Sequence, residues 1–322
     1  MADENSIREA LPPAAVGRVQ QVLVRNGAAT LVVDARGLSR GGAEQLEQAI
    51  RERVGGLEGV SEVRVAMTAD KVARRIVAVG SGKGGVGKST LTANLAVALA
   101  KAGRKVGVVD ADVYGPSQTM LLDAENRKPT AEGNTLRPVE TDFGVPFLSM
   151  GQMIEPGKAI AWRGPMVGKA LTQLMEADWG DAELLLVDLP PGTGDVQLTM
   201  LQRFRPAAAV IVTTPQDLAL LDATRAIDLF RQLDVPIAGI VENMAGYVCP
   251  HCGESSDPFG HGGAEAAARA LGVPFLGRVP LSIEVRVASD AGRPPAADDG
   301  PQGQSFVEIA ARLGAWLDRE GP

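Results

Sequence analysis

The hydrophobic pattern of the chain changes near residue 76, and it predicts two units of different architecture. From that point, short continuous apolar runs alternate with segments whose apolar residues recur at helical spacing. The apolar runs lie at 76–79, 106–110, 184–188, 209–214, 238–243 and 274–280. The helical segments lie at 88–102, 166–177, 218–233 and 263–271. Uninterrupted apolar strands that alternate with helices predict an α/β fold, a doubly wound and mostly parallel sheet covered on both faces.

The beginning of the chain has a shorter, mixed pattern that predicts a small α+β domain. Three strand-like runs and one helical pattern are predicted at 19–24, 29–33, 61–66 and 44–54. The first two runs flank Asn26-Gly27, a dipeptide typical of tight hairpin turns. The polar segment 68–75 is the predicted linker. We therefore divide the chain into a small domain, 1–70, and a larger domain, 71–322.

The last helical pattern, 306–317, has one apolar face, which either docks on the core or lies on a membrane. Its apolar positions are Phe306, Ile309, Ala310, Leu313, Trp316 and Leu317. The opposite face carries acidic and basic side chains together, whereas membrane-surface helices favour Lys and Arg there. Docking on the core is therefore the prediction, after a loop at 292–303 that is rich in Pro, Gly and Asp.

Composition and charge narrow the choice of partners and compartment. With 45% hydrophobic and 22% charged residues, the chain can bury a large core. Its net charge of −7 argues against broad nucleic-acid binding, which needs Lys and Arg to neutralise phosphates. No apolar run approaches the ~18 residues of a membrane helix, and the polar, acidic start resembles no targeting peptide. These features predict a cytoplasmic protein with neither nucleic acid nor membrane as partner.

Residues 82–90, GKGGVGKST, form a phosphate-binding motif between a predicted strand and a predicted helix. Glycines let backbone N–H groups wrap around phosphate oxygens, and the positive end of the helix dipole faces the same charge. In this motif Lys88 reaches the β- and γ-phosphates, and the Ser89 hydroxyl ligates Mg²⁺. The predicted ATP-binding residues of the loop are Gly82, Lys83, Gly84, Gly85, Val86, Gly87, Lys88, Ser89 and Thr90.

The same glycines also spell G-x-G-x-x-G, the fingerprint of a dinucleotide site. Asp110 even ends the next predicted strand, as a ribose-binding acid would. Lys88-Ser89 distinguishes a triphosphate site from a dinucleotide site, because a dinucleotide site has no need of a lysine followed by a hydroxyl. The third interpretation of this motif is a glycine-rich turn that binds no ligand. The complete motif in its strand–helix context favours a nucleoside triphosphate.

Acidic residues end two of the predicted strands. Asp188 closes the run 184–188, where it can hold Mg²⁺ through water, and the N–H of Gly192 is then available to the γ-phosphate. Asp112 follows Asp110 and is placed to orient or activate the attacking water. Each Asp alone is equally consistent with a helix cap or a turn. Ligands of open α/β sheets bind at the carboxyl ends of strands, so we favour a role in nucleotide binding or hydrolysis for both Asp112 and Asp188.

Lys83 is a second lysine inside the loop, and with it the loop resembles that of the deviant Walker A ATPases. That branch includes partitioning ATPases, cell-division-site ATPases and the nitrogenase iron protein. The resemblance implies an ATP-bound homodimer in which Lys83 reaches the partner's ATP, as an arginine finger does. It also implies that Lys83, Lys88 and Asp112 are catalytic. Asp188 is then the magnesium-linked acid, and Asn243 recognises the base.

Within that branch, several segments resemble the Mrp-type iron–sulfur cluster carriers, also called ApbC. They are VDADVYGPSQ at 109–118, LLLVDLPPGTGD at 184–195, VENMAGYVCPHCGE at 241–254 and FGHGGAE at 259–265. The resemblance extends from about residue 76 to residue 293. It implies assembly of an iron–sulfur cluster and its transfer to apoproteins with ATP hydrolysis. Recipient apoproteins and scaffold proteins are the implied partners.

The N-terminal unit resembles, weakly, the small α+β domain that precedes the ATPase in many bacterial members. It has no Asp-Pro-Glu near its start and no Thr-x-x-Cys-Pro in its middle. The segment DARGLSRGGAEQ, at 34–45, stands in that region without a cysteine. We therefore expect a degenerate iron–sulfur assembly-type domain with a docking or structural role rather than a thiol-dependent one.

Cys249 and Cys252 are the two cysteines of the chain, and they form one C-x-x-C after the fifth strand-like run. A [4Fe–4S] cluster generally needs four thiolates. A symmetric homodimer would complete the set, because the same patch faces itself in an isologous interface. The residues alone leave open a zinc ion bridging two chains, a single-chain zinc site with His251 and His261, and a redox pair. The resemblance favours an iron–sulfur cluster, expected as [4Fe–4S], held by Cys249 and Cys252 of both subunits.

Overall fold

The computed structural model describes residues 3–25, 27–35, 38, 40–68, 74–133, 135–153 and 164–320. The chain divides into two units, Met1–Ala73 and Arg74–Pro322. Each unit has its own buried hydrophobic core. Asn26 and residues 69–73, which belong to the predicted turn and linker, lie outside the described ranges.

The first unit is a three-stranded sheet with two helices. Its elements are α1 (Glu4–Ala10), β1 (Val19–Arg25), β2 (Ala28–Asp34), α2 (Arg40–Gly55) and β3 (Glu62–Thr68), with a 3₁₀ turn at Pro13–Ala15. Strands β1 and β2 are antiparallel, and β3 is parallel to β2. Every second residue of β2 is buried, because successive side chains of a strand point to opposite faces of the sheet. Helix α1, which the apolar pattern does not predict, begins with a reciprocal cap between Asp3 and Ser6.

The described residues of the second unit form ten strands and eight helices. Seven of these strands make up the main parallel sheet. The strands are β4 (Arg75–Ser81), β5 (Val106–Asp110), β6 (Thr130–Glu132), β7 (Thr135–Arg137), β8 (Phe147–Ser149), β9 (Leu184–Asp188), β10 (Ala208–Thr213), β11 (Ile237–Val248), β12 (Ser255–Ser256) and β13 (Phe275–Leu281). The helices are α3 (Lys88–Lys101), α4 (Gln118–Leu121), α5 (Gly164–Met175), α6 (Asp195–Phe204), α7 (Asp217–Gln232), α8 (Gly263–Leu271), α9 (Ile283–Asp290) and α10 (Pro301–Glu320).

The main sheet has the order β8-β5-β9-β4-β10-β11-β13, and all of its neighbouring pairs are parallel. The short strand β12 pairs antiparallel with the end of β11, and β6 and β7 form a separate hairpin. The predicted α/β fold with a mostly parallel sheet is therefore confirmed. Since parallel strands end at one edge, the loops after β4, β5, β9 and β13 lie together there, beside the residues of β11 near Asn243.

The two faces of the sheet are covered by different helices. Alternate residues of β4 point to opposite sides, so Val77 and Val79 belong to one core cluster and Ala78 to the other. Helices α3 and α10 pack on the first side, and α5 and α7 contribute to the second. All six apolar residues predicted for the docking face of α10 are buried. None of the helices in the described ranges is both long and apolar enough to cross a bilayer.

Candidate functional site

The predicted phosphate loop connects the end of β4 to the start of α3 at the middle of the sheet. Gly87 caps α3 with φ of 82°, a left-handed conformation that glycine adopts without steric cost. Apart from Gly82, all the predicted loop residues line a cavity of about 490 Å³. The loop thus forms one wall of a pocket large enough for a nucleotide.

Gly82 does not line that cavity, and its role in the structure is to let α7 approach the loop. A Cβ at Gly82 would lie 2.2 Å from the backbone carbonyl carbon of Asp222 on α7. Real Cβ atoms do not come so close to backbone. A side chain at this position would therefore push the loop or the helix out of place.

Replacing Gly82 by Ala is expected to lower the free energy of unfolding of the second unit by about 1–3 kcal/mol, the range typical of an overpacked site. Gly84→Ala is the matched comparison, because the nearest atom to its added Cβ is Pro191 Cγ at 3.8 Å. That change is expected to cost less than about 1 kcal/mol. Urea unfolding of both variants without nucleotide measures the difference. Equal destabilisation of the two variants would contradict this account of Gly82.

Three oxygen-bearing side chains surround the Lys88 ammonium, which is itself buried. Its Nζ lies 2.5 Å from Asp188 Oδ1, 3.3 Å from Ser89 Oγ and 3.9 Å from Asp112 Oδ2. These are the side chains predicted to contact Mg²⁺ or the attacking water. Hard oxygen donors grouped around one cationic nitrogen fit the requirements of a magnesium site. The sequence predicts these residues at one edge of the sheet, and in the structure they lie together there.

Asp112 is held in a defined orientation. Its Oδ1 accepts hydrogen bonds from the backbone N–H groups of Tyr114 and Gly115, at 3.1 and 3.2 Å. Its Oδ2 faces Lys88 at ion-pair distance and accepts no hydrogen bond within the described residues. One oxygen is therefore fixed by the loop, and the other remains for a water molecule in the cavity that Asp112 lines.

Asp110 is a structural carboxylate rather than a ligand-binding one. It is fully buried and accepts hydrogen bonds from the N–H groups of Asp112, Ser117 and Gln118 and from the Ser149 hydroxyl. Burial, and then the neighbouring charge of Asp188, raise the pKa of Asp110 to about 7, although the hydrogen bonds oppose this rise. Because all of its partners are internal, Asp110 cannot bind a ribose, and the dinucleotide reading is not supported.

Two groups that are predicted to contact ATP form hydrogen bonds within the chain in this structure. The N–H of Gly192, expected at the γ-phosphate, donates to the carbonyl of Ser81 at 3.0 Å. Lys83 Nζ, expected at a partner's ATP, donates to Gln216 Oε1 at 3.1 Å. Each donor would have to leave one neutral acceptor before it could reach a phosphate.

Asn243, expected at the base, contacts the phosphate loop directly. Its Nδ2 donates to the carbonyl of Val86 at 2.8 Å. A Cβ on Gly87 would lie 2.1 Å from the same nitrogen, so the absence of a side chain there allows this contact. The amide oxygen is left for a ligand in the cavity that Asn243 also lines.

The sequence motifs do not predict the part of the cavity wall that β13 and α9 form. That wall includes Pro280, Leu281 and Ser282 at the end of β13, and Val285 and Ser289 on α9. The available signal was the strand-like run 274–280, whose carboxyl end must lie at the same sheet edge as the phosphate loop. Pro280, Leu281 and Val285 offer an apolar surface that suits the flat face of a nucleobase, and the charged residues Arg286 and Asp290 of α9 also line this wall.

The cysteine pair lies in the tight turn that joins β11 to β12. The N–H of Cys249 donates to the carbonyl of Glu254, and the N–H of Gly253 donates to the carbonyl of Cys249. Cys249 is half-buried and Cys252 is exposed, and both are free thiols. Hydrogen bonds from the N–H of Cys252, then from the N–H of His251 and the Cys252 thiol, lower the pKa of Cys249. The turn thus favours a thiolate, the form that binds metals.

The side chains of the two histidines form no metal site with this thiol pair in the described residues. Within the described ranges, no group of three or more His, Cys, Asp and Glu side chains is arranged to hold a metal ion. His261 lies 3.6 Å from the Asp257 carboxylate instead. A zinc site made by one chain from Cys249, Cys252 and the histidines therefore has no support in the geometry.

The chain is similar in sequence to known iron–sulfur proteins. A family model described as NUBPL iron-transfer P-loop NTPase matches residues 72–314. The iron–sulfur cluster transfer protein NUBPL of Dictyostelium discoideum is 43% identical over 263 residues, which are 80% of this chain and 81% of that protein. The iron–sulfur cluster carrier protein of Escherichia coli is 48% identical over 253 residues, which are 77% and 68% of the two chains.

Similar solved structures are nucleotide-binding proteins with the same fold. A nucleotide-binding protein from Archaeoglobus fulgidus in complex with ADP has a TM-score of 0.63 and 38% identity, covering 72% of this chain and 91% of its own. The cell division ATPase MinD of Pyrococcus furiosus has a TM-score of 0.59 and 25% identity, with coverages of 75% and 98%. The similarity confirms the P-loop ATPase fold of the second unit.

Proposed function

The chain belongs to the family of NUBPL-type iron-transfer P-loop NTPases, and we propose that it is an ATP-hydrolysing carrier that assembles an iron–sulfur cluster between two subunits and delivers it to apoproteins. One observation carries the proposal. The same chain has a complete phosphate-loop site and an accessible turn in which backbone N–H groups favour the Cys249 thiolate.

ATP hydrolysis is assigned to the residues around Lys88. The ammonium neutralises charge on the β- and γ-phosphates, and Asp112 Oδ2 takes a proton from the attacking water as the water oxygen bonds to the γ-phosphorus. The bond from that phosphorus to the bridging oxygen breaks, and ADP leaves. Ser89 and Asp188 are the residues that would hold Mg²⁺, which offsets the negative charge of the phosphates. Lys83 supplies a second positive charge to the partner's ATP, and Asn243 contacts the base.

The cluster is the cargo of the protein, and each chain holds half of its ligands. Cys249 and Cys252 supply two thiolates, and a twofold axis through the turn supplies the same two from a second copy. Four thiolates suit a [4Fe–4S] cluster. Transfer to an apoprotein then requires only that incoming thiolates replace those of an exposed turn.

Strand β11 is the proposed link between nucleotide and cluster. Asn243, which bonds to the phosphate loop, and Cys249, which follows Val248, are six residues apart, a separation of at most ~20 Å at the rise of a β-strand. Between them the pairing of β11 with β13 shifts register, and Met244 has a positive φ of 58°. A strand that is irregular at this point is able to change its bend when Asn243 responds to nucleotide.

We assign supporting roles to the remaining features by the same reasoning. The N-terminal unit has a core of its own and no cysteine, so it serves docking on recipient or scaffold proteins rather than cluster ligation. The cytoplasm is the proposed compartment, because a reducing environment keeps a C-x-x-C pair free for metal.

Anaerobic reconstitution with iron and sulfide tests the proposal. The protein is expected to become brown, to contain about one cluster per two chains as the two-thiolate half-sites require, and to elute as a dimer. Incubation with an apoprotein that needs a [4Fe–4S] cluster should restore that protein's absorption faster than free iron and sulfide do. A colourless, zinc-loaded protein after this treatment would contradict the carrier function and favour a zinc-bridged ATPase.

A further inference from the structure

Gln118 is a buried side chain between the phosphate loop and the magnesium-linked acid. It is the last residue of the segment 109–118 that resembles the carrier family, and the function described above gives it no role. It is the first residue of α4 and is fully buried. Its Nε2 donates to Asp188 Oδ2 at 2.9 Å and to the carbonyl oxygen of Ser89 at 3.0 Å. One amide group therefore joins the loop after β5, the end of β9 and the start of α3.

The orientation of the amide is determined by its neighbours. Asp188 Oδ2 and the Ser89 carbonyl oxygen are both acceptors, so only the NH₂ end of the amide can face them. The other end, Oε1, has no hydrogen-bond partner among the described residues. An unpartnered buried acceptor is costly, and an apolar side chain of similar size would avoid that cost. The presence of an amide here is explained by the two contacts of its nitrogen.

These contacts divide the two oxygens of Asp188 between different partners. Oδ1 bonds to Lys88, which also lies beside the Ser89 hydroxyl, whereas Oδ2 bonds to Gln118. When Lys88 turns to a phosphate, Gln118 still holds Oδ2, and Oδ1 stays directed at the side where Ser89 Oγ lies. The backbone N–H of Gln118 bonds to Asp110, which also anchors the N–H of Asp112. The same residue therefore ties the orientation of Asp188 to the loop that carries Asp112.

We propose that Gln118 is a positioning residue for Mg²⁺-dependent nucleotide binding: it orients the Asp188 carboxylate toward the metal and couples it to the loop of Asp112. The inference rests on the proposed function, since it assumes that Asp188 and Ser89 serve Mg²⁺. Partners that orient metal-linked carboxylates typically change metal affinity by about 10–100-fold when removed. Gln118 is expected to act at the lower end of that range, because Lys88 and Thr92 also contact Asp188 Oδ1.

Gln197 offers a matched control. It is also fully buried, its Oε1 also lacks a partner among the described residues, and its Nε2 donates to the carbonyl of Pro190 at 2.7 Å. It has no contact with Asp188 among its hydrogen bonds. Gln118→Met and Gln197→Met remove the same amide from equally buried positions and retain the length of the side chain. Gln118→Asn is the second test variant, because it keeps an amide but is one methylene too short to span the two acceptors.

The experiment measures the affinity of a fluorescent ATP analogue while Mg²⁺ is titrated, which does not depend on turnover. Gln118→Met and Gln118→Asn are expected to raise the Mg²⁺ midpoint by about tenfold and to change the metal-free affinity by less than about threefold. Gln197→Met should keep the wild-type midpoint. A wild-type midpoint in either folded Gln118 variant, or an equal shift in Gln197→Met, overturns the inference. A wild-type protein that binds no nucleotide would instead overturn the proposed function.

Discussion

Replacing Lys88 by Ala is expected to reduce the rate of ATP hydrolysis by at least about a hundredfold, the loss typical for one preorganised charge at a transition state. The structure gives the reason. The ammonium is buried among Asp188, Ser89 and Asp112, so it is already held where charge develops on the transferred phosphoryl group. Steady-state release of phosphate at saturating ATP measures the effect. Turnover equal to that of the wild type would overturn the assignment of this site.

Two controls separate the loss of chemistry from the loss of folding. Lys88→Ala leaves the buried Asp188 carboxylate without its cationic partner, which alone can cost about 3–5 kcal/mol. Thermal unfolding of the variant must therefore accompany the kinetics. Lys101→Ala removes another lysine from the same helix, one that contacts Ala297 and Asp299 at the surface. That variant should retain wild-type turnover and stability, because exposed ion pairs contribute little.

The same Lys88 variant should still bind a cluster in anaerobic reconstitution. Its change lies in the phosphate loop, whereas the cluster ligands lie in the turn after β11. A folded Lys88→Ala protein with full cluster content and no ATPase activity would show that cluster assembly does not depend on hydrolysis. Loss of both properties in a folded variant would contradict separate sites.

The central strands were predictable because they are buried on both faces. The runs 106–110 and 184–188 are uninterrupted and apolar up to their final Asp, and they match β5 and β9 at both ends. The three-residue edge strand β8 has too little pattern to be recognised alone. Helix α10 begins at Pro301, inside the predicted loop 292–303, because proline is tolerated in the first turn.

The site was predictable only as far as motifs and strand ends define it. The loop residues, Asp112 and Asp188 were located because a strand followed by a known motif places them at one edge. The role of Asp110 could not be predicted, because its burial depends on how residues 110–118 fold back on it. The contacts of Gln118, which ends the segment 109–118, could not be predicted for the same reason. Its partners, Asp188 and Ser89, are separated from it by 70 and 29 residues.

Replacing either Cys249 or Cys252 by Ala is expected to remove nearly all of the cluster, from about one per two chains to less than a tenth of that amount. Each substitution in a twofold dimer removes two of four thiolates, so the remaining pair cannot hold the metal centre. The two variants should behave alike although their thiols differ. The lowered pKa of Cys249 aids its ionisation, but both thiolates are ligands.

The measurement is the visible absorption together with the iron and sulfide content of the reconstituted protein. His251→Ala is the matched control, because it changes a side chain of the same turn and leaves the backbone N–H that faces Cys249. It should keep full cluster content. All three variants should bind ATP within about threefold of the wild type, since no residue of the turn lines the nucleotide cavity. Full cluster content in a Cys249→Ala or Cys252→Ala protein would show that the ligands lie elsewhere, because no pair of subunits could then supply four thiolates.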